Sequence, residues 1–214
     1  MYLEGDKYLY SKLNIEDFPN YKSEVTIKWK NHFKNENPIT LELACGGGEY
    51  TVALAERYPD RNFIGVDVKG ARIYKGAKVA LGKDLDNAAF LRCRIEQIYE
   101  FFAEGEIDEI WITFPDPFLR ESKENRRLTS SFFIDQYRKI LKEKGIVQLK
   151  TDSQPLYQFT LETLGEKEGC TLIYEEENIY SKELYISELE TKTAYERKHL
   201  ENGLTIKYVR FLVN

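Results

Sequence analysis

Four carboxylates in this sequence stand within or at the ends of short apolar runs. Glu42 lies in Ile39-Thr-Leu-Glu-Leu43, just ahead of Gly46-Gly47-Gly48, and Asp67 closes Asn62-Phe-Ile-Gly-Val-Asp67. Asp116 sits between Pro115 and Pro117, and Asp152 follows Lys150-Thr151. A strand that turns through glycines into a helix lets a ligand rest against bare backbone. A phosphate loop would want no negative charge nearby, yet Glu42 precedes the glycines and Glu49 follows them. Two carboxylates suit a ligand that carries hydroxyls and positive charge, and S-adenosylmethionine fits that description. Asp67, 25 residues after Glu42, is placed to accept both ribose hydroxyls of a bound nucleoside. Nicotinamide-dependent enzymes share that arrangement, but their fingerprint needs a further glycine three residues on, where Tyr50 and Thr51 stand here. They also lack, in this chain, a proton-transfer histidine beside the strand ends.

The sharpest local signal is Phe114-Pro-Asp-Pro-Phe118. Two prolines bracketing an aspartate fix the backbone and so the direction of the carboxylate. The plainer reading is a rigid turn with Asp116 as a cap. Arg120, Lys123, Arg126 and Arg127 follow, interleaved with Glu121 and Glu124. Such a run reads either as a solvated face or as a grip on phosphates, and its place after a strand-end carboxylate favours phosphates.

These residues need elements to hold them. Apolar runs predict strands at 39–43, 62–67, 88–93, 109–114 and 146–150, and at 171–175 and 205–213 near the end. Helical spacing falls between them at 49–58, 71–81, 95–102, 130–142 and 156–166, with Glu143-Lys-Gly145 as a turn. This alternation predicts an α/β, doubly wound, mainly parallel sheet whose strands are buried on both faces. Ligands in such sheets bind beyond the carboxyl ends of the strands, where the four acids fall. Residues 1–37 form an aromatic extension, with a helix expected over Tyr21–Lys34.

A chain of 214 residues, 42% hydrophobic and 31% charged, is expected to form one domain, 1–214, with a substantial core. The 38–214 part is its core and carries an acidic insertion near 176–200. No apolar run is long enough for a membrane span. Cys45, Cys93 and Cys170 match no disulfide or metal pattern. The chain is therefore expected to be cytoplasmic, without metal or membrane partners, and a monomer or weak homodimer. The net charge of −5 argues against nucleic acid as a partner, although a local basic face can override it.

Taken together, Leu41-Glu-Leu-Ala-Cys-Gly-Gly-Gly, Phe63-Ile-Gly-Val-Asp67, Phe114-Pro-Asp-Pro-Phe, Arg126-Arg-Leu-Thr129, Leu149-Lys-Thr-Asp152 and Thr193-Ala-Tyr-Glu196 resemble the bacterial tRNA (guanine-N7)-methyltransferase family. The resemblance implies a seven-stranded Rossmann-like class I methyltransferase sheet with an antiparallel C-terminal strand. It implies S-adenosylmethionine as methyl donor and tRNA as partner. Glu42, Ala44, Gly46, Gly48, Asp67, Arg94 and Ile95 would line the cofactor site. Asp116 would touch cofactor and guanine and is the catalytic candidate. Arg120, Asp152, Thr193, Tyr195 and Glu196 would contact tRNA. The chain departs from the family in having Ala44 for glycine, Gly47 for lysine and no histidine in the basic run after Pro117. Other readings are a class I methyltransferase with another substrate, and a non-catalytic relative that binds cofactor or tRNA.

Overall fold

The computed structural model describes residues 29–214. The expectations for residues 1–28, including most of the N-terminal helix, lie outside the described residues. Within the described residues, the part of that expectation from Trp29 on is α1 (Trp29–Phe33), and Trp29 is fully buried, donating from its indole to the Phe101 carbonyl at 3.0 Å.

Strand and helix then alternate: β1 (Ile39–Leu43), α2 (Glu49–Arg57), β2 (Asn62–Asp67), α3 (Gly70–Gly82), β3 (Ala88–Arg92) and β4 (Ile107–Thr113). The chain continues through α4 (Ser131–Arg138), β5 (Leu141–Thr151), α5 (Gln154–Glu166), β6 (Cys170–Glu176), α6 (Ala194–Glu201) and β7 (Lys207–Val213). The seven strands form one sheet in the order β3-β2-β1-β4-β5-β7-β6. The first five are parallel, and β7 runs antiparallel between β5 and β6. Strand order reverses beside β1, so the ends of β1 and β4 open a crevice on one edge of the sheet. β1 and β2 are buried along their whole length, as strands covered on both faces must be. One apolar cluster gathers Leu41, Ile110 and Phe211 with α4 and α5, and the other gathers Phe63, Phe90 and Trp111 with α2 and α3.

Several elements differ from the sequence expectation. The helix expected to run to Lys142 stops at Arg138, and β5 begins at Leu141, taking in the expected turn. Its register jumps between the Ile107–Leu141 and Glu109–Ile146 pairs, so Glu143-Lys-Gly145 is a bulge in the strand, with Lys144 at φ 60°. The segment expected as a helix at 95–102 is a 3₁₀ turn, Ile95–Glu100. The final strand starts at Lys207 rather than Thr205. No helix among the described residues is long and apolar enough to cross a membrane.

Candidate active site

The glycine loop owes its shape to two of the carboxylates. Asp67 takes the Gly46 N–H on one oxygen at 3.0 Å and the Lys69 N–H on the other at 2.8 Å, tying the loop to the end of β2. Glu42 reaches from β1 to the Thr51 N–H at 2.8 Å and to the Thr51 hydroxyl, satisfying one of the free donors in the first turn of α2. Its other oxygen accepts from the Thr113 hydroxyl at 2.7 Å, at the end of β4. Glu42 is 4% exposed, and burial pushes its pKa up to about 7 against the pull of the Thr51 and Thr113 bonds. Each carboxylate keeps lone pairs beyond those used internally.

The three glycines do different work. Gly48 begins α2 at φ 71°, and a Cβ there would lie 2.4 Å from the Phe90 ring. That glycine is a packing requirement. Gly46 and Gly47 would carry a Cβ into open space, so their bare backbone faces the cleft.

The cleft at this edge has two halves that meet at Ala44, Arg72 and Phe114. The larger, of about 620 Å³, is lined by Asp67, Lys69, Arg94, Ile95, Asp116 and Phe118 among others. The smaller, of about 400 Å³, takes in Glu42, Gly46, Gly47, Thr113, Thr193 and Tyr195. Ala44 (φ 57°), Phe114 (φ 48°) and Phe118 (φ 40°) are all in the left-handed region without being glycine, and all line this cleft. Left-handed backbone costs such residues about 1–2 kcal/mol each, and strain of this kind collects at working sites.

Asp116 is exposed at the mouth, and one of its oxygens accepts from the Phe118 N–H at 2.9 Å. Its loop is pinned from behind by Arg127. That guanidinium donates to the Pro117 and Phe118 carbonyls at 3.1–3.3 Å and lies 4.3 Å over the Phe159 ring of α5. Arg127 is 8% exposed, so the grip on phosphates read from the sequence is corrected at this position; Arg120, Lys123 and Arg126 are exposed. The difference is one of chain direction, since the 3₁₀ turn Glu121–Arg126 ends and the next side chain points inward.

Across the mouth stands α6. Thr193 caps it by accepting from the Glu196 N–H at 3.1 Å, and Glu49 of α2 accepts the Ala194 N–H. Tyr195 is 48% exposed, stacks on His199 at 3.9 Å between ring centroids, and lies 5.2 Å from Phe114. Its hydroxyl donates to Asp152 at 3.3 Å, and His199 Nε2 lies 3.5 Å from the same oxygen. The fold thus brings a histidine to a strand end where the sequence showed none. The i,i+4 spacing of Tyr195 and His199 on one helix was the available signal.

Glu196 lies apart from its neighbours. It is fully buried and pairs with Lys150 Nζ, also fully buried, at 2.8 Å. Tyr180 donates to the same Glu196 oxygen at 2.6 Å. The structure therefore places Glu196 behind the mouth, with Thr193, Tyr195 and Asp152 at it. Other acids of the insertion are also engaged: Glu188 pairs with Arg61, Glu190 with Arg57 and Glu176 with Lys182. Sequence reading missed Thr51 and Thr113, which only the sheet brings to Glu42, and Arg72 and Lys75, one helical turn apart on the wall of the cleft.

Solved structures share this architecture. The 16S rRNA methyltransferase KamB superposes with a TM-score of 0.64 at 13% identity, over 87% of this chain and 92% of that one. TrmN from Thermus thermophilus gives 0.58 at 18% identity, over 83% of this chain and 44% of that one. The fold is that of the class I methyltransferases. A family model described as "Putative methyltransferase" matches residues 36–209. The tRNA (guanine-N(7)-)-methyltransferase of Christiangramia forsetii is 48% identical over 192 residues, 89% of this chain and 85% of that protein. The protein of the same name from Bacteroides fragilis is 49% identical over 187 residues, 87% and 73% respectively. The chain belongs to the tRNA (guanine-N7)-methyltransferase family and is a methyltransferase.

Proposed function

We propose that this enzyme transfers a methyl group from S-adenosylmethionine to N7 of a guanine in tRNA, at the variable-loop guanine that the resemblance implies. The observation that carries the reading is Asp116. It is an exposed carboxylate held in one direction by two prolines and the Arg127 clamp, at a cleft shared with the open Gly46–Gly47 backbone.

The residues fit the cofactor. Gly46 and Gly47 leave their backbone bare, the cleft has room for a nucleoside, and Asp67 retains lone pairs for ribose hydroxyls. Glu49 supplies negative charge on the smaller half, where an ammonium would sit, and a cation there would draw Glu42 into its ionised form. When bound, S-adenosylmethionine supplies a methyl group on a sulfonium. Ala44, Arg94 and Ile95 line the same space.

Guanine N7 has an in-plane lone pair and no proton, so the enzyme needs no general base, and its task is positioning. Asp116 accepts hydrogen bonds from guanine N1–H and N2–H, which turns N7 inward. Tyr195 and Phe114 offer ring faces beside it, as nucleic-acid sites use aromatic faces to hold a base. The methylated base is cationic, and carboxylates at the mouth favour charge as it develops. Arg120 and Asp152 flank the mouth and take the neighbouring nucleotide. Thr193 sets the start of α6, and Glu196 acts from behind by fixing that helix.

The test is methyl transfer from labelled S-adenosylmethionine to unmodified bulk tRNA, followed by nucleoside analysis. Label in 7-methylguanosine is the expected result. Cofactor binding without any labelled tRNA would favour a small-molecule or non-catalytic reading.

A further inference from the structure

The chain carries a net charge of −5, yet its ion pairs are distributed unevenly. Arg57, Arg61, Lys83, Lys142, Lys167 and Lys182 are each paired with an acid away from the cleft. Lys69, Arg72, Lys75 and Lys78 form no ion pair among the described residues, and all four are exposed. They fall on three successive turns from the start of α3, and the helix contains no acid. Lys69 and Arg72 line the larger half of the cleft together with Arg126 from the other rim, and Arg72 and Lys75 line the smaller half. The cleft therefore has free cations on both sides, with Arg126 on the far one and with Lys123 and the capping Arg120 in the same exposed 3₁₀ segment.

We propose that the exposed face formed by Lys69, Arg72, Lys75 and Lys78 is an RNA-backbone site, a second track of phosphate contacts facing the 120–126 rim. This rests on the tRNA reading above and adds a surface to it. Unpaired cations in a chain of net negative charge are held apart from the acids that would neutralise them. RNA phosphates then displace only counterions, and that displacement drives backbone binding. Tyr74, 44% exposed on the same helix, adds a ring face for an unpaired base. Two-sided contact also explains how a chain of pI about 5.3 can hold a polyanion: local charge, not the total, meets the phosphates.

The experiment measures binding of unmodified tRNA to the full chain by fluorescence anisotropy across a salt series, with S-adenosylhomocysteine present. It compares wild type, R72Q/K75Q/K78Q and, as a control at the C-terminal cap of the same helix, Lys83→Gln. The triple variant should lower the slope of log affinity against log salt by about three units, one per phosphate contact removed. Lys83→Gln should leave it unchanged. Cofactor affinity, read by calorimetry on the same variants, reports separately on Arg72 and Lys75, which also line the cofactor's cleft. An unchanged slope in the triple variant overturns the proposal while leaving the tRNA reading intact. Loss of cofactor affinity at an unchanged slope overturns it too and assigns Arg72 to the cofactor's carboxylate. Wild type that neither binds nor methylates tRNA would overturn both.

Discussion

Replacing Glu196 by glutamine should unfold the protein far more easily than its place in a helix of the insertion suggests. Glu196 and Lys150 are both 0% exposed, 2.8 Å apart, and join α6 to the carboxyl end of β5. Lys150 Nζ also donates to the Thr191 carbonyl at 3.0 Å, and Tyr180 gives its hydroxyl to Glu196. Burial pulls the Lys150 pKa down, and the Glu196 carboxylate opposes that pull. Glutamine removes the countercharge and leaves an ammonium in a dry site. Breaking a buried pair from one side costs about 3–5 kcal/mol. With a urea m-value of about 2–3 kcal/mol/M, that lowers the midpoint by roughly 1–2.5 M. Lys150→Met/Glu196→Leu removes both charges. It still strands the Thr191 carbonyl and leaves the Tyr180 hydroxyl only the Leu189 carbonyl at 3.4 Å, at about 1 kcal/mol each, but it should lose less than either of its single variants. The assay is urea unfolding of Glu196→Gln, and of Lys150→Met, Glu196→Leu and their double variant as a cycle. A loss below about 1 kcal/mol for Glu196→Gln, or a double variant as unstable as the sum of the singles, would refute the reasoning.

Other outcomes follow from the same geometry. Glu42 carries a folded-state pKa of about 7 against 4.5 unfolded, so its contribution is fully present below pH 4.5 and is lost as pH rises through 7. The full loss is about 3 kcal/mol, and Glu42→Gln should abolish that part of the stability–pH profile; an unaltered profile would contradict it. Asp116→Ala should keep cofactor affinity within twofold and lose on the order of 100-fold or more in single-turnover methyl transfer, with full activity contradicting its role. Gly48→Ala should destabilise by about 2–5 kcal/mol, since its Cβ meets the Phe90 ring at φ 71°, as thermal unfolding would show. Gly46→Ala, at φ 56° with open space, should cost only about 1–2 kcal/mol and act mainly on cofactor affinity.

The parallel half of the sheet was legible because its strands are short apolar runs with turns at their ends. β1 and β2 fall at the residues where the pattern puts them. The end of α4 was not, because Leu141 continues the helical spacing, and only pairing with Ile107 makes it strand. At the site, the carboxylates stood out because prolines and glycines mark chain reversals beside them. What they touch did not stand out. Glu42 meets Thr113 across 71 residues, and His199 meets Asp152 across two elements. Arg127 reads as one more cation of a charged run, and only its burial over Phe159 shows that it holds the Asp116 loop. The acidic insertion reads only as a cluster of like charges, and the fold alone pairs its carboxylates with Arg57, Arg61 and Lys150.

The most direct measurement uses one tRNA transcript and a copy in which adenine replaces the variable-loop guanine. Each is incubated with the full chain and labelled S-adenosylmethionine, and the label is mapped by nucleoside and fragment analysis. The account predicts 7-methylguanosine at that one position in the first transcript and no label in the second. Label in another nucleoside, or equal label in both transcripts, would contradict it.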